Sequence, residues 1–293
     1  MIDTERKPYF YMPQGKPARA KFESGAHSGR LRISITARTP LHFGAGLLGV
    51  QDESFVHLLS RENGRISLPG SGFKGALRAL YEALSDSCNP GSPASHCVDK
   101  NELCPACALF GFMNQRQTRK GKLHFTSFAA EGATQILWLP QLRAPKPPDE
   151  PLRKFYKHSQ GWGDITESSI GRKNASQLEC LLPGAALEGA VIYQGLTENE
   201  LGGLLFALGL GWDPPAYHKL GYGKPAYFGS ASLTARQGAA QNTLFPSDNF
   251  TPDELAAIAR RWRERHEANA KVFEKEWTSI GSGQHWDLAT LTY

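Results

Sequence analysis

Two stretches of the chain show clear periodicity. Between Arg30 and Arg38 apolar and polar residues alternate, which predicts a half-buried β-strand. After Pro69 the apolar residues instead recur at helical spacing, and Ser71 is placed to cap the helix. The buried strand positions are Leu31, Ile33, Ile35 and Ala37; the helical ones are Phe73, Leu77, Leu80, Tyr81 and Leu84.

Two further helices have capping signals. Thr197 is followed three residues later by Glu200, and Thr251 by Glu254, so each pair predicts a reciprocal cap. The second helix has proline at its first position and is expected to extend to about Trp277. Strands are expected near 123–128, 190–195 and 227–234, and residues 41–46 are expected to form a glycine-rich loop.

The order of these elements is strand, helix, strand, excursion, strand, helix, strand and an added helix. It predicts an α+β fold with a ferredoxin-like (RRM-like) sheet and insertions. Residues 1–28 are polar and interrupted by proline, which is typical of an extended arm. Residues 140–183 have little periodicity, and a long excursion of this kind is usually functional.

Composition indicates a soluble globular protein. The chain has 293 residues, of which 40% are hydrophobic and 21% charged, and its net charge is +5. A mild basic excess suits a polyanionic partner but is common without one. No apolar run is long enough to cross a bilayer, and the N-terminus lacks a signal-peptide core, so no membrane partner and a cytoplasmic location are expected.

Four of the five cysteines lie within twenty residues. In the cytoplasm they are unlikely to form disulfides, and the Cys-x2-Cys pair at the end supplies two thiolates from one turn. Four protein ligands would leave no open coordination position, so the pattern predicts a structural zinc site. The expected ligands are Cys88, Cys97, Cys104 and Cys107, with His96 left open as an alternative to Cys97.

Three polar segments are candidates for contact with nucleic acid. The helix start after Pro69 has glycines, free amides and two basic residues four apart, Lys74 and Arg78, a combination that suits phosphate but is also frequent elsewhere. Residues 114–126 are basic and contain no acid, as solvated loops often do. In residues 218–225, Lys219 and Lys224 could contact phosphates and Tyr222 could stack on a base, although a structural turn has the same pattern.

Two neighbouring acidic residues are candidates for catalysis. Asp52 and Glu53 follow the glycine-rich loop, where exposure suits a metal or a reacting ribose, although most such acids are simply solvated. The sequence has no nucleophile elbow, Walker motif or His-Glu-x-x-His motif, so it gives little reason to expect a small-molecule enzyme.

Three stretches in the same order resemble the RAMP superfamily, the repeat-associated proteins of type III CRISPR effectors. They are residues 41–52, 66–78 and 218–225, and the cysteine segment ending in Ala108-Leu109-Phe110-Gly111 resembles the zinc-binding insertion of backbone subunits. The chain departs from the family at the helix entry Ser71-Gly72-Phe73-Lys74, where many members have a second serine or threonine and a leucine, and in its two ends.

We expect a single RAMP domain over 1–293, whose arm and C-terminal helix lie outside the core that the family shares. It comprises an arm (1–28), a ferredoxin-like core (29–238) with a zinc insertion (86–112) and a thumb-like insertion (138–185), and a C-terminal helix (250–278).

The same resemblance implies a subunit that binds guide RNA, target RNA and other RAMP-type subunits. Asp52 would orient or deprotonate a ribose 2′-hydroxyl of the target, with Mg²⁺ stabilising the charge. The residues expected to bind RNA are His42, Ser71, Phe73, Lys74, Arg78, Lys219, Tyr222 and Lys224. The alternatives are a non-catalytic or end-capping subunit and, more weakly, a stand-alone guide-processing ribonuclease.

Overall fold

The structure is a computed structural model, and it describes residues 8–51, 53–89, 91–140, 142, 152–159, 175–238 and 247–277. The strands are β1 (Tyr9–Pro13), β2 (Ala20–Lys21), β3 (His27–Ala37), β4 (Gly44–Gln51), β5 (Ser54–Leu59), β6 (Arg61–Glu62), β7 (Arg65–Leu68), β8 (Glu102–Leu103), β9 (Gly111–Met113), β10 (Thr118–Lys120), β11 (Leu123–Phe125), β12 (Phe128–Glu131), β13 (Thr134–Pro140), β14 (Leu152–Tyr156), β15 (Ala175–Leu181), β16 (Ala186–Leu196), β17 (Tyr217–Lys219) and β18 (Ser230–Gln237). The helices are α1 (Gly70–Leu84), α2 (Pro105–Phe110), α3 (Glu198–Ala207), α4 (Pro252–Arg265) and α5 (Glu267–Trp277).

The largest sheet is antiparallel and has the strand order β17-β18-β3-β16-β12-β7-β6, with β11 also paired to β16. Strand β3 lies in its interior and pairs with β16 on one side and β18 on the other. The predicted alternation of β3 is present, since every second residue from Gly29 to Ala37 is buried. Helices and antiparallel sheets together confirm the predicted α+β class.

The core lies between this sheet and the helices. Phe73 of α1 packs against Phe128 of β12, with ring centroids 4.6 Å apart, and both side chains are buried. Gly203 of α3 allows close packing, because an added Cβ would lie 2.6 Å from the Tyr81 ring and 2.9 Å from Trp262. Burial of these large aromatic side chains is the main stabilising contribution in this region.

The prediction that Ser71 caps α1 is wrong. The helix begins at Gly70, Pro69 is the N-cap residue, and no side chain makes the capping hydrogen bond. Ser71 is exposed in the first turn. Gly70 is needed for packing, because an added Cβ would lie 2.5 Å from the carbonyl oxygen of Phe125.

Both predicted reciprocal caps are confirmed. The Thr197 hydroxyl accepts from the Glu200 amide, the Glu200 carboxylate accepts from the Thr197 amide, and Thr251 and Glu254 repeat the arrangement. The C-terminal helix differs from the prediction in being two helices, because the chain leaves helical geometry at His266.

A second sheet has the order β13-β15-β5-β4. The second half of the expected glycine-rich loop (41–46) is therefore strand, since β4 begins at Gly44 and pairs antiparallel with β5 as far as Gln51, with a register shift between Gly44 and Leu48. The alternation rule missed it because nearly every residue of β4 is exposed. Within the thumb-like insertion (138–185), residues 141, 143–151 and 160–174 lie outside the described residues.

The N-terminal segment, predicted as an arm, is joined to the body from Pro8 onward. Strand β1 pairs with β14, and Phe10 and Met12 of β1 are buried. Strand β2 pairs with β8 inside the cysteine segment. Among the helices of the described part of the chain, none has both the length and the apolar character that a membrane span requires.

Candidate functional site: a four-cysteine centre beside a basic helix

The four clustered cysteines converge in the folded chain. Their sulfur atoms all lie within 4.8 Å of one another, and all four residues are buried. Cys88 Sγ is 3.5 Å from Cys97 Sγ and 3.4 Å from Cys104 Sγ, much longer than the roughly 2.0 Å of a disulfide bond. Four thiolates at about 2.3 Å from a tetrahedral zinc ion would be about 3.8 Å apart.

The protein supports these sulfur atoms with hydrogen-bond donors. The amide of Cys104 donates to Cys97 Sγ at 3.2 Å, and the amide of Cys88 donates to Cys104 Sγ at 3.5 Å. Donors of this kind favour thiolate over thiol, the form that binds metal.

The thiols also affect one another. The contact with Cys104 is the largest cause that lowers the pKa of Cys97, and contact with the same residue raises the pKa of Cys107. Crowded thiols cannot all ionise without a cation among them, because each thiolate raises the cost of the next. A zinc ion would supply that charge and hold all four as thiolates.

The geometry therefore fits zinc. The buried four-sulfur set can bind a zinc ion without an open coordination position. The question left open by the sequence concerned His96 and Cys97. Cys97 belongs to the cluster, while His96 is an exposed residue outside it. The fifth cysteine, Cys180, lies in β15, where burial raises its pKa to about 12.

Lys74 and Arg78 share a face of α1, as predicted, but they have different surroundings. The Arg78 guanidinium donates to the Glu82 carboxylate at 2.7 Å, to the Gly111 carbonyl at 3.1 Å and to Cys107 Sγ at 3.6 Å. Burial opposes its charge, yet the bonds to Glu82 raise the pKa of Arg78 overall. Arg78 is thus bound within the protein and contributes positive charge beside the sulfur cluster.

Lys74 is half-buried, and no ion pair or side-chain hydrogen bond holds it among the described residues. Partial burial, and secondarily the charge of Arg78, lowers the pKa of Lys74. A lysine in this setting gains from an incoming anion, because the anion restores the favourable environment that burial removed. Of the two predicted cations, Lys74 is the one available to a phosphate.

A second group of predicted residues meets elsewhere. The amide of Tyr222 donates to the carbonyl of His42 at 2.8 Å, and their rings are 6.3 Å apart. Gly221 permits this contact, since its φ is +73° and an added Cβ would lie 2.1 Å from the His42 oxygen. The predicted first and last motifs are therefore in direct contact.

Support for this region comes from Glu179, which the sequence did not single out. Its carbonyl accepts from His42 Nδ1 at 2.7 Å, and its carboxylate accepts from the amide of Leu59 at 2.9 Å and from Arg61. The bond from Arg61 is the main reason that the pKa of Glu179 is lowered. Burial lowers the pKa of His42 and thus favours its neutral form.

Several predicted RNA-binding residues have internal contacts. Phe73 is 1% exposed within the core. Lys219 is 6% exposed, and its ammonium donates to the carbonyls of Tyr227 and Phe228. Burial lowers the pKa of Lys219 strongly and that of Lys224 to a lesser degree. Tyr222, in contrast, is 49% exposed.

Asp52, the predicted catalytic residue, lies outside the described residues. Its role and that of Mg²⁺ stay predictions. The flanking residues are described: Gln51 ends β4, and Gln51 pairs with Ser54 at the start of β5.

Comparison with known proteins adds to this geometry. No curated protein matches the sequence. One similar solved structure is a chain described as "Type IV-B CRISPR Complex", with 20% sequence identity, coverage of 76% of this chain and 96% of that chain, and a TM-score of 0.44. The model of the RAMP superfamily matches residues 34–231, which include the three motif stretches and the cysteine centre. Because that match covers more than half of the length of this chain, the chain belongs to the RAMP superfamily.

Proposed function

We propose that the chain is the guide-RNA-binding backbone subunit of a type III CRISPR effector, and that it cuts the target RNA paired to the guide. The observation that carries the proposal is family membership over residues 34–231. That range contains all three stretches in which this sequence resembles backbone subunits. The type III assignment and the cleavage rest on the resemblance.

The strand order supports a ferredoxin-like core. Four adjacent strands have the order β18-β3-β16-β12. Helix α1 lies between β3 and β12 in the chain, and α3 lies between β16 and β18. These six elements follow one another in the order β-α-β-β-α-β, which is the order in that fold.

The accessible part of the proposed guide site is smaller than the predicted set. Ser71, Lys74 and Tyr222 present polar groups outward, and Gly75 of α1 leaves open space beside the helix. Phe73 and Lys219 act indirectly, by fixing the position of α1 and of the 218–225 loop. Single-stranded RNA would be bound by cations along its backbone and by stacking on Tyr222.

In the proposed cleavage, Asp52 takes or orients the proton of a target-strand 2′-hydroxyl. The 2′-oxygen attacks the adjacent phosphorus, and the bond to the 5′-oxygen breaks as that oxygen gains a proton. The products are a 2′,3′-cyclic phosphate and a 5′-hydroxyl. Mg²⁺ would supply charge stabilisation at the phosphate.

The test is cleavage by the assembled complex loaded with a guide RNA. We expect Asp52→Ala to reduce target cutting by about 10²–10⁴-fold while guide binding is retained. Glu53→Ala, which removes the neighbouring carboxylate, is the matched control and should cut normally. Normal cutting by Asp52→Ala would reject catalysis by this chain and favour the non-catalytic, end-capping alternative.

A further inference from the structure

A large cavity lies between α1 and the cysteine centre. Its volume is about 800 Å³, within the range of small-molecule sites. One wall is α1 with Lys74 and Arg78, and the opposite wall is the β9–β10 hairpin with Arg119 and Lys120. Three of the four cysteines also line it.

The lining is strongly basic. Among the described residues of the lining, five are cations (Lys74, Arg78, Arg119, Lys120 and Arg153) and one, Glu82, is a carboxylate. Glu82 is already paired with both Arg78 and Arg153. Even with the charge of about −2 that four thiolates around zinc would carry, an excess of two positive charges remains.

The uncompensated cations can be identified. Within the described ranges, neither Lys74 nor Lys120 has a carboxylate partner. In the part of the chain that the structure describes, the acceptors of Arg119 are uncharged: the Lys100 carbonyl at 2.7 Å and the Asn101 side-chain oxygen at 3.1 Å. Its guanidinium lies 4.0 Å from the ring centroid of Phe22. Unpaired like charges around one cavity repel each other, and a bound anion removes that cost.

The basic hairpin is held by the cysteine segment. Between Cys97 and Cys104, the Val98 carbonyl accepts from the Asn114 side chain at 3.0 Å, and the Lys100 amide donates to Gln117 at 2.8 Å. Asn114 and Gln117 belong to the turn that joins β9 and β10. A metal that orders the cysteine segment would therefore also fix the position of Lys120.

We propose that this cavity is a phosphodiester-binding site for single-stranded RNA, formed by Lys74, Arg119 and Lys120 and held in shape by the zinc centre. The site rests on the proposed RNA-binding function and extends it from the α1 face across to the β9–β10 hairpin. Only part of the basic tract 114–126 belongs to this site. The Lys122 ammonium is paired with the carboxylate of the buried Glu200 at 2.6 Å, and Lys122 is not among the residues that line the cavity.

The test is RNA binding by the full-length, zinc-loaded chain at a series of salt concentrations, with a fluorescent single-stranded RNA. Each lost phosphate contact should reduce the slope of log K against log salt by about 0.7. We expect this reduction for Lys120→Ala and for Lys74→Ala. Arg116→Ala removes an exposed charge from the same hairpin but outside the cavity lining, and it should leave the slope unchanged.

The outcomes separate the two proposals. If the wild-type chain binds no RNA, the proposed function fails. If Lys74→Ala reduces the slope while Lys120→Ala behaves like Arg116→Ala, RNA binding stands and the cavity proposal is overturned. Equal effects of Lys120→Ala and Arg116→Ala would also overturn it, because they would indicate general surface charge.

A neutral methylphosphonate placed at successive positions of the RNA gives a second measurement. At the phosphate bound in the cavity, the losses of binding free energy caused by the methylphosphonate and by Lys120→Ala should not be additive. Additive effects at every position would reject a direct contact.

Discussion

Replacing Arg78 by alanine tests whether this residue of α1 has a structural role while Lys74 is the cation available to a phosphate. The guanidinium bonds the buried Glu82 carboxylate, the Gly111 carbonyl and Cys107 Sγ. Its removal leaves Glu82, whose side chain is 4% exposed, with Arg153 as the remaining guanidinium partner. We expect a loss of stability, and a clear contrast with Lys74, whose side chain makes no such contacts with the described residues.

The size of the loss follows from these contacts. Removing one partner of a buried ion pair costs about 3–5 kcal/mol when no other partner remains. Arg153 offsets a large part of this, whereas the orphaned Gly111 carbonyl adds about 1 kcal/mol. We expect Arg78→Ala to lower the free energy of unfolding by about 2–4 kcal/mol.

Urea denaturation with saturating zinc measures this difference. Lys74→Ala is the matched control, four residues earlier on the same helix face, and should change the free energy by less than about 0.5 kcal/mol. Arg78→Lys should recover only part of the loss, because an ammonium cannot reproduce the guanidinium's forked donors. Equal stability of Arg78→Ala and Lys74→Ala would refute the structural role of Arg78.

Three further outcomes are expected. Burial lowers the pKa of His218 to about 4, so the unfolded chain, with a pKa near 6.5, takes up the proton first as the pH falls. The contribution of His218 to the free energy of unfolding is therefore complete above about pH 6.5 and about 2 kcal/mol smaller at pH 5. Urea denaturation at these two pH values should show a smaller loss of unfolding free energy for His218→Gln than for the wild-type chain. Gly203→Ala should destabilise the protein by about 1–3 kcal/mol, because the added Cβ would collide with Tyr81. Gly75→Ala has open space around the added Cβ and should stabilise the protein by up to about 1 kcal/mol in the same assay. Metal analysis of purified protein should find one zinc ion per chain, and chelation should lower the thermal midpoint; protein without zinc would reject the metal centre.

Local patterns predicted much of the fold. The alternation along β3, the helical spacing of α1 and the two Thr–Glu caps depend on neighbours within four residues, and the structure shows all of them. The convergence of the four cysteines was also visible in their spacing. Such signals need no knowledge of distant contacts.

Long-range contacts explain what was missed. Lys74 and Arg78 are equivalent by spacing, yet the partners that occupy Arg78 include Cys107 and Gly111, about thirty residues further on. Lys219 looks exposed in the sequence because nothing nearby indicates that its ammonium reaches the carbonyls of Tyr227 and Phe228. Strand β4 gave no periodicity because neither of its faces is buried.

The aromatic cluster that includes Phe10 has a consequence for biosynthesis. Phe10 stacks on Phe155 of β14 at 6.0 Å between ring centroids and contacts Phe273 of α5 at 5.5 Å. During translation Phe10 therefore emerges long before either of its partners. Until residue 273 has been made, this apolar strand has no complete partner surface, and such a segment is prone to aggregation. Slow elongation or loss of the C-terminal helix should thus lower the solubility of the protein, and the exposed β1 at the beginning of the chain should be the first segment to aggregate.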